Sequence, residues 1–216
     1  MALHLYGWEG SQADISNLIK PVSGDRNVNP EELRYYIRTQ AGWLNLEYRV
    51  GGNLELLKRL LAANYPVIVE TVTSLNPADA LGPNDDLWAA HYMLITAYDD
   101  AKQEFTIQDS YHGPDLTISY EQLKKDWRPF NNVYLLLYFP QFEEEVKTLL
   151  GSDWDPNLNR QRVLADREQH HRVVRLGGDL AERGDVGRCG QVQVLGEDRV
   201  EFPFDAWRAL APVLLG

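Results

Sequence analysis

The chain has 216 residues, and 44% of them are hydrophobic, which is enough to build the core of a globular protein. Its formal net charge of -11 at pH 7 argues against nucleic acid or an anionic membrane as the main partner, because both would repel the chain. Cys189 is the only cysteine, which excludes an internal disulfide and a cysteine-rich metal site.

Targeting signals and metal motifs are missing from the sequence. No apolar run approaches the roughly 20 residues needed to span a bilayer, and the opening stretch MALHLYGWEG lacks the features of a signal peptide. The chain as written is therefore predicted to be cytoplasmic, although a full-length relative could be exported. His170 and His171 are adjacent and could supply at most part of a metal site, so we predict no metal and no cofactor.

The first part of the chain predicts short amphipathic helices alternating with strands. SQADISNLIKP is a helix capped by Ser11, and NPEELRYYIRTQAG is a helix capped by Asn29 with Pro30 at its first position. LNLEYRV alternates as a strand, and GGNLELLKRLLAANYP is a helix capped by Asn53. The β-branched run PVIVETV is typical of a central strand.

A hairpin and three further elements complete the predicted domain. After a loop rich in Pro, Asp and Asn, HYMLITAY and EFTIQDS predict a hairpin with a tight turn at Asp99 to Gln103. SYEQLKKDW is a helix with Ser119 at its cap, VYLLLYF is a buried strand, and FEEEVKTLL is a closing helix that ends at Gly151. We therefore predict one α+β domain over residues 1–151.

The composition changes beyond about residue 152. Residues 1–158 carry 12 Lys and Arg against 23 Asp and Glu, whereas residues 159–216 carry 9 of each and no lysine. NRQRVLADREQHHRVVRL could form a helix, but the rest follows neither a period of 2 nor one of 3.6. Residues 152–216 are predicted to be an irregular extension with loose or partner-dependent order.

The predicted hairpin has a register that its apolar pattern selects. Centring the loop on Ala101 leaves one face apolar except for His91 and Asp109 at its open end. These two residues become diagonal neighbours, roughly 5 to 8 Å apart at the backbone, which a side-chain hydrogen bond can bridge. The register predicts three directly opposed pairs: Met93 with Asp109, Ile95 with Ile107, and Ala97 with Phe105.

A carboxylate that accepts the N–H of an imidazole orients the ring and stabilises its protonated form. This is the base-and-orienter part of a nucleophilic triad. The alternatives are a structural His–Asp pair that closes the end of a sheet, or a satisfied core histidine. The spacing alone favours the structural interpretation.

Several stretches resemble the papain-like cysteine peptidases related to the leader-processing domain of bacteriocin exporters, the C39-like group. The resemblance covers about two-thirds of the chain, and HYMLITAY followed by TIQDSY is its most specific part. It implies a papain-like α+β fold, an antiparallel sheet with helices packed against it, and a peptide or protein substrate. It also implies that His91 is the general base and that Asp109 orients it. His112, in YHGP, falls where the family varies and is interpreted as a loop residue. The other stretches are LYGWEGSQADI, GDRNVNPEEL, RVGGNLELLKRLLAANYPVIVE, SYEQLKKDWRPFNNVYLLLY and EEEVKTLLG.

The nucleophile of that family has no counterpart in the sequence. The family's cysteine lies in an Asn-Cys-Gly-Pro stretch at the start of its first helix, and MALHLYGW corresponds to the later part of that helix. Met1 falls just beyond the cysteine position, so we expect the chain to be truncated and the nucleophile to lie upstream. Cys189 follows the histidine, opposite to the family order, and is interpreted as a free thiol. Ser110 is expected to point away from His91, because strand neighbours face opposite sides.

Three functions remain open from the sequence. The first is a cysteine peptidase-like domain with Cys–His–Asp chemistry, inactive as given because it lacks the thiol. The second is a non-catalytic module that keeps the papain-like cleft to bind a peptide, and the third is a related acyl transferase. Relatives often continue into tetratricopeptide-like repeats, so residues 152–216 are interpreted as a degenerate repeat region or one whose reading frame is disturbed near residue 171.

Overall fold

The computed structural model describes residues 1–20, 28–80, 87–181 and 199–200. They form an α+β fold in which helices pack against an antiparallel sheet, so the predicted fold class is confirmed. A short 3₁₀ turn, Ala2–Tyr6, comes first and ends at Gly7, whose φ of 81° lies in the left-handed region. The helices are α1 (Gln12–Ile19), α2 (Pro30–Gln40), α3 (Leu54–Ala62), α4 (Tyr120–Trp127), α5 (Glu143–Leu150) and α6 (Pro156–Ala181).

All described strand pairings are antiparallel. The main path of the sheet runs β1-β6-β2-β3-β4-β5, and β7 adds a short pairing to the end of β3. The PVIVETV run forms β2 and lies between β6 and β3, which confirms its predicted central place. The strands are β1 (Asn45–Arg49), β2 (Val67–Ser74), β3 (Trp88–Asp99), β4 (Glu104–Asp109), β5 (Gly113–Ser119), β6 (Tyr134–Tyr138) and β7 (Arg199–Val200).

The helices begin where their capping residues predict. Ser11 and Asp14 form a capping box at the start of α1, and the Asn53 side chain accepts a hydrogen bond from the Leu56 N–H at 2.8 Å. Ser119 caps α4 by accepting from the Gln122 N–H at 3.1 Å. These local signals need no tertiary context, because each satisfies backbone N–H groups of its own first turn.

The hairpin of β3 and β4 keeps the predicted register only at its open end. Met93 pairs with Asp109 and Ile95 with Ile107, but Ala97 pairs with Thr106, and Phe105 pairs with Tyr98. The predicted pairing of Ala97 with Phe105 is wrong, because the register shifts between Ile95 and Ala97. A bulge adds one residue to one strand, so the inward-facing residues of β3 change from odd to even positions after the bulge.

Strand β5 was missed by the sequence analysis, which treated YHGP as a loop and predicted no strand beyond it. Turn residues open this strand, and Asp115 has a φ of 54°. The strand lies at the edge of the sheet, where Leu116 stays exposed. Its apolar side chains are only Leu116 and Ile118, which are too few to establish a period of two.

The sheet separates two hydrophobic clusters. The closed core lies under α3, α4 and α5, and it consists of Leu56, Leu57, Leu60, Leu61, Tyr65, Val67, Val69, Met93, Ile95, Tyr98, Phe105, Ile107, Tyr120, Leu123, Trp127, Tyr134, Leu136, Tyr138, Val146 and Leu150. The cavity-side core lies under the N-terminal segments, and it consists of Leu3, Tyr6, Ile19, Tyr36, Ile37, Ala41, Leu44, Leu46, Val133, Leu135, Leu137 and Phe139.

The start of the predicted extension packs on the domain. The Asn159 amide donates to the Val50 carbonyl at 2.9 Å and accepts from the Val50 N–H at 3.1 Å. The buried Arg49 side chain donates to the Asp153 carbonyl at 2.6 Å. Residues 182–198 and 201–216 lie outside the described residues, so the repeat and reading-frame interpretations, like the boundary at residue 151, stay predictions. Among the described helices, none combines the length and apolar character that crossing a membrane requires.

Candidate active site

A cavity of about 400 Å³ opens between the N-terminal segment and one end of β3. One wall comes from the first residues of the chain and from α1, including Met1, Trp8 and Ile15. The other comes from the sheet, including Ile68 and His91. The lining is mainly apolar and includes two histidines, His4 and His91, which is the usual character of a small-ligand or peptide side-chain site.

The structure brings His91 and Asp109 together. His91 Nε2 lies 2.8 Å from Asp109 Oδ1, and the Met93–Asp109 pairing makes the two residues the diagonal neighbours that the register predicted. The Asp109 side chain is 3% exposed, whereas that of His91 is 15% exposed. The carboxylate is therefore enclosed, whereas the His91 side chain is partly exposed and the residue lines the cavity. Their catalytic roles stay a prediction.

The Asp109 carboxylate is held by four N–H groups. Its Oδ1 accepts from the backbone N–H of Tyr111 at 2.7 Å and from that of His112 at 3.0 Å, in addition to His91. Its Oδ2 lies 2.9 Å from His112 Nδ1. Burial alone would raise the pKa of Asp109, but the hydrogen bonds from His112, Tyr111 and His91 outweigh it and lower the pKa to about 2. The carboxylate is thus ionised and fixed beside His91 at neutral pH.

His112 is the site residue that the sequence analysis missed. It was interpreted as a loop residue, yet its ring contacts the same carboxylate as His91, and the two ring centroids lie 6.3 Å apart at 89°. The contact depends on a turn after β4 that folds residues 110–112 back over Asp109. The only signal in the sequence is an Asp three residues before the His, followed by Gly113, whose φ of 126° favours glycine.

The turn is anchored from both sides. Asn76, which follows β2, donates to the Tyr111 hydroxyl from its side-chain amide at 2.6 Å and from its backbone at 3.2 Å. The Gln108 side chain donates to Asp115 Oδ1 at 2.8 Å and accepts from the Asp115 N–H at 3.1 Å, beside a register shift between β4 and β5. These contacts fix the path of the chain around Asp109 without touching His91.

Two other predictions, about Ser110 and Cys189, concern residues that could replace the nucleophile. Ser110 was expected to face away from His91, but it follows the end of β4 and lines the same cavity as His91, so strand alternation does not apply to it. Met1 and Ala2 also line this cavity. Cys189 lies outside the described residues.

Comparisons with known proteins identify a matching family and similar solved structures. The profile of the Peptidase C39-like family matches residues 10–135. A C39-like peptidase candidate from Bacillus anthracis is similar in structure, with 15% identity, a TM-score of 0.45, and coverage of 63% of this chain and 83% of that one. The N-terminal peptidase C39-like domain of the toxin secretion ATP-binding protein from Vibrio parahaemolyticus has 15% identity, a TM-score of 0.43, and coverage of 64% and 90%. No curated protein sequence matches the chain.

Proposed function

The chain belongs to the Peptidase C39-like family, and on that premise we propose that it is a peptidase-like domain with His91 as general base and Asp109 as the group that orients it. We further propose that these 216 residues bind a peptide in the cavity beside His91 but do not hydrolyse it. The observation that carries the proposal is the 2.8 Å contact between His91 Nε2 and Asp109 Oδ1 at the edge of that cavity.

The contact fixes which nitrogen of His91 can accept a proton. When Nε2–H donates to the ionised carboxylate of Asp109, the lone pair of the neutral ring lies on Nδ1. A general base needs such a lone pair and a ring that does not rotate away from the acid. The enclosed carboxylate supplies both conditions, and it stabilises the imidazolium that forms once a proton is taken.

The proposed absence of hydrolysis rests on the thiol inventory. Cys189 is the only cysteine among the 216 residues, and it follows His91 in the chain, opposite to the order in the family that the sequence resembles. A histidine–aspartate pair without an attacking sulfur gives at most weak general-base chemistry.

The cavity suits a peptide side chain. Its volume of about 400 Å³ is within the range of small-ligand sites, and Ile15, Leu33 and Ile68 make its walls apolar. Trp88 and Tyr111 are 48% and 40% exposed. Exposed aromatic side chains are common contacts for an extended peptide.

The test introduces the missing thiol. Ala2 lines the same cavity as His91, so Ala2→Cys, in a Cys189→Ser background, places a sulfur within the site. We expect this thiol to be alkylated by iodoacetamide at lower pH than an ordinary thiol, because His91 and Asp109 favour the thiolate. Mass spectrometry follows the rate against pH, and Ser152→Cys, at an exposed position in the turn that follows α5, is the matched control.

The same thiol with His91→Gln separates the base from the cavity. We expect its reactivity profile to return to that of the Ser152→Cys control. If the profile of the Ala2→Cys thiol matches the control from the start, or stays unchanged with His91→Gln, His91 is not a base toward this cavity and the proposal fails.

A further inference from the structure

We propose that His91, Asp109 and His112 form a binding site for one divalent transition-metal ion of the zinc type. Each of the three residues offers one ligand atom, and these atoms all lie within 4.8 Å of one another. The proposal departs from the sequence analysis, which predicts no metal because the adjacent pair His170 and His171 cannot build a site alone.

The three side chains need to move only slightly to bind an ion. Atoms that bind a tetrahedral Zn²⁺ at about 2.0 to 2.2 Å lie roughly 3.4 Å from one another. His91 Nε2 is 2.8 Å from Asp109 Oδ1, and His112 Nδ1 is 2.9 Å from Asp109 Oδ2. Both rings therefore already point a nitrogen at one carboxylate, and an ion can replace the protons that now link them after shifts of about 1 Å.

The electron pairs balance in a simple way. Each neutral imidazole can carry its proton on the other ring nitrogen, which leaves a lone pair on the nitrogen that faces the carboxylate. The ion accepts one lone pair from His91 Nε2, one from His112 Nδ1 and one from Asp109. A neutral ring moves its proton to the other nitrogen through solvent and releases none, whereas a protonated ring releases one proton when the ion binds.

The carboxylate is already oriented by groups outside the proposed ligand set. Backbone N–H groups of Tyr111 and His112 hold Asp109 Oδ1 at 2.7 and 3.0 Å, which leaves Oδ2 available to an ion. Fixed hydrogen bonds of this kind raise metal affinity, because the ligand loses little freedom on binding. The His112 side chain is 47% exposed, so the fourth position of the ion opens to solvent.

The donor set defines the class of ion. Two imidazole nitrogens and one carboxylate oxygen suit Zn²⁺, Co²⁺, Ni²⁺ or Cu²⁺, whereas Mg²⁺ and Ca²⁺ prefer sites made only of oxygen. An ion on His91 Nε2 leaves the proton of the neutral ring on Nδ1, where the lone pair of a general base would otherwise be. This last consequence, that the metal blocks the base, rests on the proposed function, but metal binding itself does not.

The experiment measures metal binding by the full chain, without any peptide. The background variant Cys189→Ser, His170→Gln, His171→Gln removes the only thiol and the two adjacent histidines. We expect Co²⁺ to give a visible d–d absorption spectrum that saturates at one ion per chain, and Zn²⁺ to displace it. His112→Gln should weaken Zn²⁺ at least about tenfold in competition with a chromophoric chelator. Glu121→Gln, which removes an exposed carboxylate on α4, away from the cavity, should leave the affinity unchanged.

His112→Gln is the decisive variant, because its side chain is half exposed and belongs to neither hydrophobic cluster. Asp109→Asn is a second variant, used only where circular dichroism shows a native fold. The proposal is wrong if no saturable Co²⁺ spectrum forms, if His112→Gln binds as tightly as the background chain, or if Glu121→Gln weakens binding equally. A failed metal titration leaves the thiol-reactivity test of His91 untouched, so the two proposals fail separately.

Discussion

The two faces of the sheet are packed to different degrees. On one face, α3, α4 and α5 cover the closed core, where Leu57, Leu60 and Leu123 are fully buried. On the other, the 3₁₀ turn Ala2–Tyr6 and α1 leave a cavity of about 400 Å³ beside the sheet. Ile19 is the only buried residue of α1. The same strands thus have a tightly filled face and an incompletely filled one.

We infer that the closely packed face provides most of the stability and that the partly filled face provides space for binding. A close-packed face holds β2, β3 and β4 in one register, and that register brings His91 to Asp109. A face that is only partly filled contributes less burial, but it leaves room for a ligand beside His91.

The largest effect is expected in the closed core. Leu57→Ala should lower the free energy of unfolding by about 3 kcal/mol, because it leaves a cavity among well-packed neighbours. Ile15→Ala, on the cavity side, should cost about 1 kcal/mol or less, since Ile15 is only partly buried and already borders empty space. Urea denaturation of both variants gives the two values. Equal losses would mean that the two faces do not differ in the way described.

The next effect concerns the carboxylate at the boundary between the two faces. Asp109→Ala should lower the free energy of unfolding by about 2 to 3 kcal/mol, because it leaves the backbone N–H groups of Tyr111 and His112 without the acceptor that holds the turn after β4. Asp126→Ala, which removes a carboxylate that accepts only from Gln122 on the surface of α4, should change it by under about 0.5 kcal/mol. Chemical denaturation at pH 7 compares them, and similar losses would show that Asp109 does not stabilise its turn.

A smaller effect should appear at Glu70 and depend on pH. Burial, together with the nearby Glu31, raises the pKa of Glu70 above 4.5, against the lowering effect of its hydrogen bond with Tyr92. The folded chain therefore holds this proton more tightly than the unfolded chain. The stability that the proton contributes is full below pH 4.5 and is lost as the pH rises through the folded pKa.

Glu70→Gln mimics the protonated form at every pH. We expect it to raise the melting temperature at pH 7.5 and to leave it unchanged at pH 4, as measured by thermal denaturation monitored by circular dichroism. Glu9→Gln, at an exposed position, should have no such pH-dependent effect. A stabilisation by Glu70→Gln that is the same at both pH values would contradict the proposed ionisation penalty.

The sequence was sufficient for features whose cause is local. Ser11, Asn53 and Ser119 start their helices by bonding the first turn, and the β-branched run from Val67 identifies a central strand. The meeting of His91 and Asp109 followed from register, because the apolar side chains near them admit only one inward face.

The features that the sequence analysis missed depend on tertiary context. The bulge between Ile95 and Ala97 leaves the apolar pattern nearly unchanged, since alanine and tyrosine are accepted on either face. His112 reaches Asp109 only because the chain turns back at Gly113. That turn is held by a hydrogen bond between Asn76 and Tyr111, two residues that are far apart in the sequence. No periodicity encodes such a turn, so the second histidine looked like a loop residue.

The last prediction concerns a substitution in the cavity, which should change stability least but should clearly weaken peptide binding. Ala89 and Ala90 are neighbours on β3 and face opposite sides: Ala90 lines the cavity, whereas Ala89 is buried and does not. Ala90→Leu should cost under about 1 kcal/mol, because the added atoms enter empty space, whereas Ala89→Leu should cost about 1 to 3 kcal/mol through overpacking.

The binding readout uses a fluorescein-labelled heptapeptide selected on the immobilised wild-type chain from a random library, with affinity measured by anisotropy. We expect Ala90→Leu to weaken this peptide about tenfold, which corresponds to about 1.4 kcal/mol, because it fills the cavity that the peptide occupies. Ala89→Leu should bind the peptide with wild-type affinity, provided that the variant is folded. If both variants bind alike, the peptide lies elsewhere on the chain, and the incompletely packed face is only a region of low stability rather than a binding site.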